Sequence, residues 1–241
     1  MLGRLFRSGP LRGGRHRNVQ GSAGRAAVLG AGDGLITNIS LVLGVAGASA
    51  NVSAVRLAGV AGLLAGAFSM AAGELVSVKA QDELIHHEID VEREELAADP
   101  SEEQRELAAM YEARGVPATD ADTVARILMA NPEIALDTHV RLELGVDPDG
   151  AGSSRQAAAT SFISFSAGAI LPLLPWFFTT GMAAVLASVI IGGVSAVTLG
   201  AVIGSFSGQG VWRTAARQLL AAVVAASVTY LVGHLLGVAT S

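Results

Sequence analysis

Cysteine is absent from this chain, which removes disulfides, thiolate metal sites and thiol chemistry and leaves the compartment open. Charge is scarce: 15% of the 241 residues are charged, against about 25% in a typical soluble domain. Aromatics make up 5%, and Lys79 is the only lysine. No Gly-Lys-Ser/Thr phosphate loop occurs, so direct drive by ATP is not expected. No catalytic set is visible and nothing calls for a prosthetic group, so the chain does not read as an enzyme.

What is abundant is apolar surface, at 51% hydrophobic residues, and glycine, at 29. The little charge there is lies segregated. Of 21 Asp and Glu, 19 fall between Asp82 and Asp149, where they meet five arginines and leave a net of −14. A segment that acidic disfavours nucleic acid and favours cations. The other two acids, Asp33 and Glu74, sit inside apolar runs.

A helix that crosses a bilayer needs about 20 apolar residues. Five windows qualify: 26–48, 57–78, 157–178, 182–204 and 214–238. They predict an all-α integral membrane protein. It has a basic arm over 1–25, transmembrane helices 1 and 2 over 26–80, an acidic helical insert over 81–154, and transmembrane helices 3–5 over 155–241. The arm carries six arginines and no signal-peptide pattern, so it is expected on the cytosolic side as a disordered topology signal or lipid contact. Arg56 alone marks the first hairpin as outside. Lys79, the insert and Arg155 are then inside, the uncharged 172–181 turn outside, Arg213 and Arg217 inside, and the C-terminus outside. Trp176 and Trp212 fall at opposite interfaces, as aromatic belts do. Glycines four apart (Gly30/Gly34, Gly62/Gly66, Gly200/Gly204, Gly204/Gly208, Gly233/Gly237) predict close helix packing, within or between subunits.

The insert carries its own punctuation. Residues 81–98 continue the second span as helix. Asp99, Pro100 and Glu102 read as N-cap, first position and capping-box partner of a new helix, which stops at Gly115. A third helix is expected over 119–130. Asn131-Pro132 starts a fourth that ends at Glu143-Leu144-Gly145, followed by a polar linker over 147–154.

Asp33, in Gly30-Ala31-Gly32-Asp33-Gly34, lies about a third of the way into the first span. A charge at mid-bilayer costs roughly 2.5–3.5 kcal/mol on insertion scales, so it is expected to face a cavity, a partner or a substrate. Met70 and Glu74 are four apart, on one helix face. A thioether beside a carboxylate suits a borderline ion such as Fe²⁺ better than Mg²⁺ or Ca²⁺; Met70 alone reads first as a packing residue, and its place beside Glu74 brings the ligand reading level with that. In the insert, Glu88, Glu92 and Glu95 share one face, and Glu103 and Glu106 form a pair on the next helix. Like charges so spaced destabilise a helix by about 0.2–0.5 kcal/mol per pair. Folded against one another they would need a counter-cation; unfolded from one another they are ordinary solvated faces. His139, four before Glu143, is a possible nitrogen ligand; His86 and His87 point about 100° apart and cannot share an ion.

The segments Asp33-Gly34-Leu35-Ile36-Thr37, Met70-Ala71-Ala72-Gly73-Glu74-Leu75-Val76-Ser77 and Leu142-Glu143-Leu144-Gly145 resemble the vacuolar iron transporter family. So does the order of two membrane helices, helical domain, three membrane helices. The resemblance implies a homodimer of five-helix subunits that exchanges Fe²⁺ for protons along the dimer interface. It implies path roles for Asp33, Met70 and Glu74, and metal-ligand roles for Glu92, Glu95, Glu103, Glu106 and Glu143; spacing alone adds His139 and Glu88. His139 and Val140 stand where plant-type members carry two methionines, which leaves the choice among Fe²⁺, Mn²⁺, Zn²⁺ and Co²⁺ open; Leu75 stands where many have tyrosine. The short Ala- and Gly-rich chain looks bacterial, which points to the plasma membrane. The resulting expectation is a proton-coupled divalent metal transporter working outward from the cytosol. A membrane-anchored metal buffer or sensor is the alternative.

Overall fold

The computed structural model describes residues 22–49, 51–146 and 153–240. Among them every element is helical: α1 (Ser22–Ala48), α2 (Val52–Ala98), α3 (Pro100–Ala113), α4 (Ala118–Met129), α5 (Pro132–Leu142), α6 (Ser154–Leu173), a 3₁₀ turn (Leu174–Phe177), α7 (Gly181–Ser207) and α8 (Val211–Thr240). The expected arm falls outside the described residues up to 21, and most of the expected 147–154 linker does too. Five helices, α1, α2, α6 with its 3₁₀ extension, α7 and α8, are long and apolar enough to cross a membrane.

α1 is the centre of the membrane bundle, packed on α6 and α8 and touching α2 and α7. Glycine makes the close packing possible. A Cβ on Gly34 would sit 2.1 Å from the Phe165 carbonyl oxygen, and one on Gly168 would sit 2.1 Å from that of Ala31. On the other side, Gly233 meets the Gly44 carbonyl at 1.9 Å by the same measure. Most of the glycine pairs read from the sequence thus act inside one chain: Gly34 closes α1 on α6, Gly200 and Gly204 close α7 on α8, and Gly233 and Gly237 close α8 on α1. Gly208 instead ends α7 in a left-handed conformation, φ 68°.

Two details depart from the sequence reading. Pro172 lies inside α6, not in the turn after it, and the chain stays helical to Phe177. Proline withholds one N–H and crowds the carbonyl four residues back, and here that residue is Gly168. Ser188 on α7 donates to the Pro172 carbonyl at 2.7 Å, which ties α7 to this point. Trp176 stands at an end of the bundle as expected but does not face lipid. It is 3% exposed, packed with Val55 and Leu173, and its carbonyl accepts from Arg56 Nε at 2.6 Å. Trp212 is 83% exposed.

α2 runs 47 residues without a break, or about 70 Å at 1.5 Å per residue. The hydrocarbon layer is about 30 Å thick, so only its apolar first half can lie in it. The second half projects and carries the insert. α3 packs on α4 and α4 on α5 around Leu107, Ala108, Ala121 and Ala125. The chain reverses at Asp99, which ends α2 and caps α3 by accepting from the Glu102 N–H at 3.1 Å. Gly115 stops α3 with φ 93°, and Asn131 caps α5 by accepting from Glu133 and Ile134.

Candidate metal centre

Three elements converge on one point: the last turns of α2, the first turn of α3 and the last turn of α5. They bring Glu92, Glu103 and His139 together, with ligand atoms all within 4.8 Å of one another. All three are buried: Glu92 is 3% exposed, Glu103 8% and His139 0%. His139 Nδ1 lies 3.0 Å from Glu92, 3.5 Å from Glu103 and 4.0 Å from Glu143. Glu143 stays in place as the C-cap of α5, its N–H bonded to the His139 carbonyl at 2.8 Å. Glu95 and Glu106 are exposed at the rim, close enough to act electrostatically on the buried acids. Glu88, one turn nearer the membrane, is half-buried and outside the close group. Nearby guanidiniums are turned elsewhere, Arg93 to Asp90 and Arg105 to Glu102.

The electrostatics are those of crowded carboxylates. Burial pushes the Glu92 carboxyl up to about 7, and the negative charges of Glu143, Glu103, Glu95 and Glu106 add to the shift. Burial also raises Glu103 and Glu143, with help from Glu106 and Glu95. His139 moves down because burial disfavours the imidazolium, only partly opposed by Glu106. Glu92 Oε1 and both ring nitrogens of His139 have no hydrogen-bond partner. A buried polar atom left unpaired costs about 1–3 kcal/mol, so the site as built is under-satisfied in a way a divalent ion would relieve.

The shifts carry a stability prediction. A raised carboxyl pKa means that the folded chain holds protons the unfolded chain has released, so stability falls as pH rises through the folded value. Below about 6.5 the lowered His139 acts oppositely, because the unfolded imidazole gains a proton that the folded one refuses. Above that point the carboxylates are unopposed. The metal-free protein is expected to melt at lower temperature at about pH 7.5 than at about pH 6.5, and Glu92→Gln should remove much of the difference in a thermal-unfolding series.

In the membrane half, the sequence-derived residues lie on α1 and α2. Gly59 of α2 faces Val42 of α1, and Gly62 faces Leu41 and Asn38. Carried along two antiparallel helices, that register sets Asp33 level with the turn Phe68–Met70 and puts Glu74 about one turn nearer the insert. Met70 packs beside Ala67, Phe165 and Ala169. Asp33 is exposed on the flank of the chain, in a strip with Leu29 and Thr37, and Thr37 Oγ1 donates to it at 3.4 Å. Glu74 is half-buried. The sequence reading passed over Asn38. It is fully buried, its amide donates to the Ala169 carbonyl at 2.6 Å, and its Oδ1 has no partner. An amide in a 23-residue apolar run was the available signal.

Five apolar spans and a projecting helical segment that gathers carboxylates and an imidazole define an integral membrane protein with a buried group that could hold a metal ion. The chain matches the model of the VIT family over residues 24–234 and belongs to that family. It is 31% identical over 207 residues to a protein of Arabidopsis thaliana named vacuolar iron transporter 1, covering 86% of this chain and 83% of that one. A rice protein of the same name is 31% identical over 213 residues, covering 88% and 84%. A vacuolar iron transporter of Acanthamoeba castellanii is 38% identical over 164 residues, covering 67% and 59%.

Proposed function

We propose that this protein is a proton-coupled transporter of divalent metal, with Fe²⁺ as the main substrate and Mn²⁺ as a candidate beside it, that loads in the cytosol and releases on the other side of a bacterial plasma membrane. The observation that carries the reading is the buried Glu92–Glu103–His139 centre, whose Glu92 stands on the same unbroken helix that brings Met70 and Glu74 into the membrane half. The names of the relatives point the same way. Glu95, Glu106 and Glu143, with Glu88 on the membrane side, collect ions around the centre, and His139 adds a nitrogen ligand. Ions then pass along Met70 and Glu74 to Asp33.

Asp33 also supports a homodimer. An ionised carboxylate turned to lipid is expensive, and Asp33 is exposed on a single chain within a predominantly apolar span. A second copy across that strip would cover it and place two Asp33 side chains beside one path. Protons travel inward on the carboxylates as the ion leaves.

The test is flux in sealed proteoliposomes. Fe²⁺ and Mn²⁺ should accumulate in inside-out vesicles when the lumen is acid relative to the bath, and collapsing the gradient with a protonophore should reduce uptake at least about tenfold if the free energy of the proton gradient is the drive (1.4 kcal/mol per factor of ten). Metal bound by the protein but never carried across the bilayer would leave an anchored buffer instead.

A further inference from the structure

We infer that His139 selects which divalent ions the insert accepts, by placing one imidazole nitrogen in a centre otherwise made of carboxylate oxygen. This rests on reading the centre as a metal site, but its own basis is the state of the ring. A buried histidine kept for structure bonds at least one nitrogen to a carbonyl, hydroxyl or carboxylate. Here neither nitrogen has a hydrogen-bond partner, although the side chain is fully buried. Nδ1 is near Glu92 Oε1 at 3.0 Å, close in distance yet off the angle of a hydrogen bond.

The spacing is that of neighbours around a shared centre. Two ligands each about 2.1 Å from an ion stand ~3.0 Å apart at a right angle and ~3.4 Å apart at a tetrahedral one. Nδ1 lies 3.0 Å from Glu92 and 3.5 Å from Glu103. Burial disfavours the charged ring. Val140, the next residue, is fully buried and offers no donor. The imidazole is therefore the only non-oxygen ligand in the close group.

Sites of oxygen alone suit Mg²⁺, Ca²⁺ and Mn²⁺. A nitrogen ligand steepens the rise in affinity from Mn²⁺ through Fe²⁺ to Co²⁺, and it suits Zn²⁺. The centre should thus take Co²⁺, Zn²⁺ and Fe²⁺ ahead of Mn²⁺ and exclude Mg²⁺.

Titration calorimetry on the full-length protein in detergent, with Co²⁺, Zn²⁺ and Mn²⁺ in turn, tests this. The wild type should prefer Co²⁺ and Zn²⁺ to Mn²⁺. His139→Gln, which substitutes an amide oxygen, should cost Co²⁺ and Zn²⁺ more affinity than it costs Mn²⁺ and so shrink that preference at least about tenfold. Electron paramagnetic resonance of the protein loaded with one Cu²⁺ per chain, in a background where His16, His86, His87 and His234 are changed to Gln, supplies a readout that a packing role would not move: nitrogen coupling should be present with His139 in place and lost in His139→Gln and in His139→Met. An unchanged metal ranking, persistent nitrogen coupling, or equal loss of all three metals in both variants overturns the inference while leaving the carboxylate centre standing. If the wild type binds none of the metals, the centre itself falls, and this inference with it.

Discussion

Asp33→Asn is expected to bring metal flux down to the level of empty vesicles while leaving metal binding by the insert unchanged. The substitution keeps the shape of the side chain and removes its charge. Asp33 accepts one long hydrogen bond, from Thr37 at 3.4 Å, and asparagine can accept the same one. Stability should therefore hold or improve, since the part of the carboxylate's insertion penalty (about 2.5–3.5 kcal/mol in all) that is due to its charge is relieved, while the amide keeps a smaller polar cost. What is lost is the one full negative charge on α1 that a cation or proton could use. The measurement is initial-rate uptake into proteoliposomes, with binding to the same purified variant followed by calorimetry. Wild-type flux from Asp33→Asn would remove Asp33 from the path.

The second large effect is expected at Glu92. Glu92→Gln combined with Glu103→Gln should weaken metal binding on the order of 100-fold, or 2.8 kcal/mol. Each change withdraws a unit charge from beside a divalent ion, worth several kcal/mol at an effective dielectric of about 20, and desolvation offsets part of that. The same variant should make the metal-free protein more stable, by about 0.5–2 kcal/mol, because the crowding that lifts Glu92 to about 7 is relieved. Loss of binding with a gain in apo stability, read by calorimetry and thermal unfolding, separates a functional cluster from a structural one. A variant that is less stable without metal would point to a structural role.

Much of this architecture is written in short-range signals. Asp99-Pro100, Gly115 and Asn131-Pro132 mark the starts and stops of the insert helices because caps and left-handed turns depend on neighbours in sequence. The spans follow from apolar length. The centre was legible only in parts. Glu143 and His139 share a face by their spacing of four, as do Glu92 and Glu88. Which face meets which depends on how α3 and α5 seat on α2, and tertiary packing decides that. It puts Glu92 inside and leaves Glu88 a turn away. Trp176 misled for the same reason: position along the chain gives its depth in the bilayer, while the direction of its ring is set by Val55 and Leu173 around it. Asn38 needed a view of the α1–α6 contact before its amide had a purpose.

The unbroken run of α2 has a geometric corollary. Eighteen residues separate Glu74 from Glu92, and at 3.6 residues per turn that is about five whole revolutions over roughly 27 Å. The two acids therefore point from the same side of a stiff rod, like marks in line along a camshaft. One residue added between them would swing the upper mark about 100° from the lower, whereas seven would return it to within about 20°. The segment between the two sites is thus held to its length, except for changes by near-complete turns.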